Sequence, residues 1–135
     1  MRRGPALLLA TAVLAGCNSG SEDAAKPAAG AAKEVTETVA ALQTATRERD
    51  FKRICDELLS RAAKERAGGN DCAELVRSTA GDVRRPKITP LSIRVRGDRA
   101  DVSVRTTARG QSAIEDTIQL VREGGSWRIA ALASG

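Results

Sequence analysis

The sequence predicts an α+β fold in which helices cover a curved, four-stranded antiparallel meander. Two observations carry this. Apolar residues recur at helical spacing from Glu34 to about Thr79, and from Ile88 to Leu132 the period switches to two. Glycine-containing turns punctuate the second half, so successive strands are joined by hairpins.

Element by element, Val35, Val39, Leu42 and Thr46 share one face of a first helix. Arg47-Glu48-Arg49-Asp50 is a polar break. Phe51, Ile54, Leu58 and Ala62 repeat the spacing in a second helix, which Gly68-Gly69 ends. Asp71 with Glu74 three residues on reads as a capping box opening a third, shorter helix, closed by Gly81 and Pro86. In the strand half, Leu91, Ile93 and Val95 alternate with Ser92, Arg94 and Arg96. Ala100, Val102, Val104 and Thr106 follow after a Gly97-Asp98 turn. Beyond Gly110 come Ile114, Ile118 and Leu120, and beyond Gly124-Gly125 come Trp127, Ile129 and Ala131. An antiparallel sheet of this kind has one apolar face, which the upstream helices can cover. The tripeptide Arg96-Gly97-Asp98 has a local reason to exist, since Gly-Asp suits a hairpin turn.

The N-terminus reads as an export signal. Met1-Arg2-Arg3 is a short cationic stretch and Ala6 to Leu14 a short apolar one, too short to span a bilayer. Leu14-Ala15-Gly16-Cys17 resembles the bacterial lipobox, in which two small residues precede the cysteine that receives diacylglycerol. The organisation expected is therefore a signal peptide over residues 1–16, a tether over 17–33 starting at lipidated Cys17, and a single domain over 34–135. The tether is read from its Gly, Ser, Ala, Pro and charged residues, which can bury little apolar surface. The location expected is the extracytoplasmic face of a cell membrane, with acyl chains supplying anchoring at about 0.8 kcal/mol per buried CH₂.

With Cys17 assigned to lipid, Cys55 and Cys72 form an even pair in an exported domain, where paired cysteines usually join. A metal site would want more ligands than two thiols in a chain with no His, and redox chemistry usually wants a closer Cys-x-x-Cys. No metal and no cofactor is expected.

The whole chain carries 22 basic and 17 acidic residues, a formal charge of +5, scattered apart from Arg84-Arg85-Pro86-Lys87. Phe51 and Trp127 are the only aromatics, so bases would find nothing to stack on, and nucleic acid is not an expected partner. The expected partners are membrane lipid through the anchor, together with a small molecule, an envelope polymer, a protein or a second copy of the chain. The absence of Tyr and His removes the commonest acid–base groups. No nucleophile elbow, phosphate loop or metal motif occurs. A non-enzymatic binding or interaction module is therefore the leading reading, with an Asp-centred pocket enzyme or a dimerising envelope protein as alternatives.

Asp116 is the candidate ligand-binding residue. It shares the parity of Ile114, Ile118 and Leu120, which aims it at the core face. A buried, unpaired carboxylate is costly. Three resolutions stand open: a bulge that turns it to water, an arginine partner such as Arg94, Arg105 or Arg128, or a polar pocket.

Helices followed by a meander ending in Leu120-Val121-Arg122-Glu123-Gly124-Gly125-Ser126-Trp127-Arg128-Ile129, with the Arg49-Asp50-Phe51 break and the Cys55/Cys72 pair, resemble the NTF2-like superfamily. Within it, the chain is most similar to small lipoproteins of high-GC Gram-positive bacteria. The resemblance implies a cone-like sheet curled around a pocket beneath helices. Superfamily members include isomerases, dehydratases, small-molecule binders and non-catalytic modules, so the fold does not name a function.

Overall fold

The computed structural model describes residues 20–134, with side chains from 29 to 133; Cys17 and the signal segment lie outside the described residues. A long helix α1 (Gly20–Glu48) is followed by a single turn α2 (Phe51–Arg53) that runs on into a π-helical turn, Ile54–Leu58. Then come α3 (Arg61–Arg66), a 3₁₀ turn (Gly69–Asp71) and α4 (Cys72–Ala80). Four strands complete the chain: β1 (Lys87–Arg96), β2 (Arg99–Thr107), β3 (Ile114–Glu123) and β4 (Ser126–Ser134). They form one antiparallel sheet in the order β1-β2-β3-β4. The α+β meander read from the sequence is thus the observed architecture.

The core lies between α1 and the inner face of the sheet. Ala31, Val35, Val39 and Ala45 of α1 meet Val102, Val104, Ile118, Leu120, Trp127 and Ile129, all buried. Phe51, Ile54 and Leu58 close one side of it. Aliphatic residues dominate because the chain has almost nothing else to bury.

Four sequence expectations change. First, α1 begins at Gly20, within the stretch read as a tether, and Ala31 is buried. That stretch holds Ala24, Ala25, Ala28, Ala29, Ala31 and Ala32, and alanine is the best helix former. Its lack of large apolar side chains says nothing against a helix.

Second, the helix expected across Phe51 to Gly68 breaks at Leu59 and Ser60. Leu59 is extended, and Ser60 N–H donates to the Ile129 carbonyl at 2.8 Å, so these residues bridge to β4 in parallel. The Ser60 hydroxyl then accepts from Ala63 N–H at 3.1 Å, capping a new helix.

Third, Asp71 stands at the start of α4 without a side-chain capping bond, the preceding 3₁₀ turn having already redirected the chain.

Fourth, two bulges alter the parity of the sheet. Pro90 pairs with Val104 and Ser92 with Ser103, so Leu91 is the extra residue and is half exposed, while Ile88 takes the inward place. In β4, Ile129 pairs with Leu120 and Ala131 with Gln119. Ala130 is extra, Ala131 turns to the outer face, and Leu132 turns inward opposite Ile118.

Two joints fix the helices to each other. Cys55 and Cys72 are bonded, Cα atoms 6.0 Å apart, tying the π-helical turn to α4 across 17 residues. At the end of α1, Arg49 is left-handed (φ 61°), which lets Asp50 N–H reach back to the Ala45 carbonyl at 2.9 Å. The Arg49 guanidinium donates to the Gly81 carbonyl and lies 5.7 Å from the centre of the Phe51 ring.

Candidate functional site

The walls of the main apolar cavity come from every layer of the fold. Leu42 and Thr46 of α1, Leu59, Ala63 of α3, Val76 of α4 and Ile129 of β4 are among the residues that enclose about 460 Å³ between helices and sheet. The cavity exists because the chain departs from regular structure at two points. The break at Leu59–Ser60 swings α3 across the edge of β4, and the bulge at Ala130 turns Leu132 into the mouth. Leu132 is 67 % exposed there, a large apolar side chain at an open rim.

Polar groups on the wall are few and mostly satisfied. The Thr46 hydroxyl donates to the Leu42 carbonyl at 2.8 Å and the Thr79 hydroxyl to the Leu75 carbonyl at 3.1 Å, each one turn back on its own helix. Arg66 is the single ionisable residue on the wall, and its guanidinium donates to the Ala130 carbonyl. A cavity of this size with apolar walls and one oriented cation suits an apolar or amphiphilic small molecule.

Asp116 does not join it. The β2–β3 register runs unbroken from Arg99↔Val121 to Thr106↔Ile114, so no bulge turns Asp116 outward. It lies on the inner face, paired with Val104 and Ser134, half buried, and is not on the cavity wall. Among the described residues its carboxylate has no hydrogen bond or ion pair. Of its three candidate partners, Arg105 pairs with Glu115 at 3.8 Å, Arg94 stands opposite Asp101 on the outer face, and Arg128 lies toward the far end of β4. The neighbouring Ile114 is 54 % exposed, which marks this end of the inner face as open to water.

A wider, polar hollow lies beside the disulfide, lined by Asp56, Lys64 and Arg128 among others. Lys52 and Lys64 both hydrogen-bond Asp56, the latter at 2.8 Å, and hold its carboxyl down at about 2. Asp56 with its two lysines is a brace between the π-helical turn and α3. Among the described residues no group of three or more His, Cys, Asp or Glu side chains could hold a metal ion.

A structure search places this architecture. A designed NTF2-like protein matches with a TM-score of 0.58 at 17 % identity, over 78 % of this chain and 96 % of the designed one. The fold is NTF2-like. No family model matches the chain. No curated protein matches it either. The NTF2-like likeness therefore stands on architecture, as helices seated on one face of a four-stranded sheet with the cavity between them.

Sequence reasoning missed Arg66 and the cavity wall around it. The signal was Ser60: a serine at that position, three residues before Ala63, is an N-cap, and reading it so would have split the second helix. Pro90 beside Leu91 marks β1 as an edge or bulged strand, whereas the bulge at Ala130 left no comparable trace.

Proposed function

We propose that this protein is an exported lipoprotein, anchored through Cys17, whose NTF2-like domain is a non-enzymatic module that binds an apolar small molecule. The observation that carries the binding reading is the 460 Å³ cavity, walled by aliphatic side chains with Arg66 as its one ionisable group. The reading of location rests on Leu14-Ala15-Gly16-Cys17 behind a short apolar stretch. Catalysis would need a placed acid, base or nucleophile, and the one ionisable group on this wall is the Arg66 guanidinium, already committed to the Ala130 carbonyl.

Protein isolated from its own host and examined by native mass spectrometry should carry an apolar molecule of a few hundred daltons. Ala63→Phe, which fills the cavity from α3, should release it while the fold persists. Retention of the same molecule by Ala63→Phe would place the ligand elsewhere. For the anchor, Cys17→Ser should abolish acyl labelling and move the protein out of the membrane fraction; unchanged labelling would overturn that half of the reading.

A further inference from the structure

The outer face of the sheet carries an arrangement that stability alone disfavours. Arg96 and Arg99 are directly opposite each other as the closing pair of the β1–β2 hairpin. Like charges facing across strands are destabilising. Arg94, two residues along the same face, joins them around one depression of about 430 Å³. Asp101 is the one acid lining it, and it pairs with Arg96 at 3.4 Å. Among the described residues Arg94 and Arg99 have no ion-pair partner. Guanidinium groups held side by side match the oxygens of a phosphate, which they bind in bidentate fashion.

The chain's own path says which phosphate. Glu34 of α1 pairs with Arg122 at 3.2 Å, and Arg122 N–H donates to the Asp98 carbonyl at 2.8 Å. The N-terminal half of α1 therefore enters the domain at the end where both hairpins, Gly97-Asp98 and Gly124-Gly125, turn. The opposite end carries Arg85, Lys87 and Arg109. A domain tethered upstream of α1 presents its hairpin end, with Arg94, Arg96 and Arg99, toward the surface that holds the tether.

We infer that Arg94, Arg96 and Arg99 form a docking site for the phosphate headgroups of an anionic membrane. The inference rests on the anchored reading above for the direction the hairpins face. It adds an electrostatic membrane contact to the lipid one, since anionic headgroups attract basic residues held near the surface.

The test uses the full chain with Cys17→Ser, so that no acyl chain contributes, and vesicles of phosphatidylcholine alone or with roughly a third phosphatidylglycerol. Every protein also carries Arg2→Gln and Arg3→Gln, which remove the cations of the leader, so that neutral vesicles register what the apolar N-terminal segment contributes by itself. Anionic vesicles should bind at least about tenfold tighter at low salt, with the increment shrinking as salt rises. Arg94→Gln, Arg96→Gln and Arg99→Gln together should remove the increment and leave neutral-vesicle binding unchanged. Arg99→Gln alone should remove part of it, with a melting temperature equal to or above that of the parent. The charge-matched variant Arg85→Gln, Lys87→Gln and Arg109→Gln, altered at the far end of the sheet, should keep the increment. An increment that is absent from the parent, or equally lost in both triple variants, would overturn the site. Displacement from anionic vesicles by millimolar inorganic phosphate, beyond that by chloride of equal ionic strength, would overturn the membrane as its occupant. Because every protein in this assay lacks Cys17, failure here is separate from failure of the anchor, which acyl labelling reads.

Discussion

The guanidinium of Arg122 lies over the indole of Trp127, 5.0 Å from the ring centroid, while its end pairs with Glu34 at 3.2 Å. One side chain of β3 thus covers the largest core residue and ties it to α1. Trp127 itself is 4 % exposed, and its Nε1–H has no hydrogen-bond partner among the described residues. Trp127→Ala should cost about 3–5 kcal/mol in urea unfolding. Trp127→Phe should cost markedly less, because it forfeits ring area but no hydrogen bond. Equal losses for the two variants would mean that the indole nitrogen is bonded after all.

Cys55 and Cys72 close a loop of 17 residues. In the chain-entropy model such a loop contributes about 3 kcal/mol. Replacing both cysteines with Ala should lower stability by about that amount, and peptide mapping without reductant should recover the two peptides joined. Free thiols at both positions in protein isolated from its own host would contradict this.

Asp56, braced by Lys52 and Lys64, should make stability acid-sensitive in a defined window. Hydrogen bonds from the two lysines lower its carboxyl from 3.8 to about 2. A carboxyl depressed on folding stabilises the native state fully above its unfolded value and loses that contribution as pH falls through the folded value. The loss attributable to Asp56 should therefore fall between about pH 4 and pH 2. Lys52, raised by the same carboxylate, has the opposite sign: its contribution is whole below 10.5 and fades as pH climbs above it. Thermal melts of Asp56→Asn against pH should lack the acid step; an identical profile would show that the brace does not hold in solution.

Arg85 is left-handed, with φ at 48°, and is exposed. That conformation costs an L residue about 1–2 kcal/mol, and glycine escapes the cost while losing some chain entropy. Arg85→Gly should therefore raise stability by about 0.5–1 kcal/mol. A loss on this substitution would mean that the Arg85 side chain makes a contact worth more than the strain.

Asp116 has neither a described partner nor a place on the cavity wall. Asp116→Asn should change stability by less than about 0.5 kcal/mol and leave ligand retention intact. A fall in retention with stability held would return Asp116 to the binding site.

How far the sequence carried the fold depends on which physics decided each element. Period two marks β2 and β3 because both run without interruption and one face of each is buried. In β1 and β4 single extra residues, Leu91 and Ala130, invert the alternation partway. Pro90 was the readable sign of the first; the second is chosen by sheet geometry, and alanine does not announce it. The helix expected through Phe51 to Gly68 has suitable spacing throughout; a tertiary bond from Ser60 to Ile129 overrode it. Asp116 was correctly aimed inward by parity, yet parity could not tell that the strand end beside it, with Ile114 54 % exposed, lies open to water. The cavity depends on just these overrides, which is why its wall, unlike the disulfide pair, was not legible in advance.

The parallel bridge from Leu59 to Ile129 has a consequence for how many copies of this protein can live side by side. A sheet with two bare edges invites strand-by-strand growth into fibrils. Here part of the β4 edge is already occupied by the chain's own Leu59–Ser60. The β1 edge carries Pro90, which has no N–H to offer, a bulge at Leu91, and the cationic side chains of Lys87, Arg94 and Arg96. Edge-to-edge stacking is therefore discouraged on both sides, and copies of the chain can be concentrated without seeding one another.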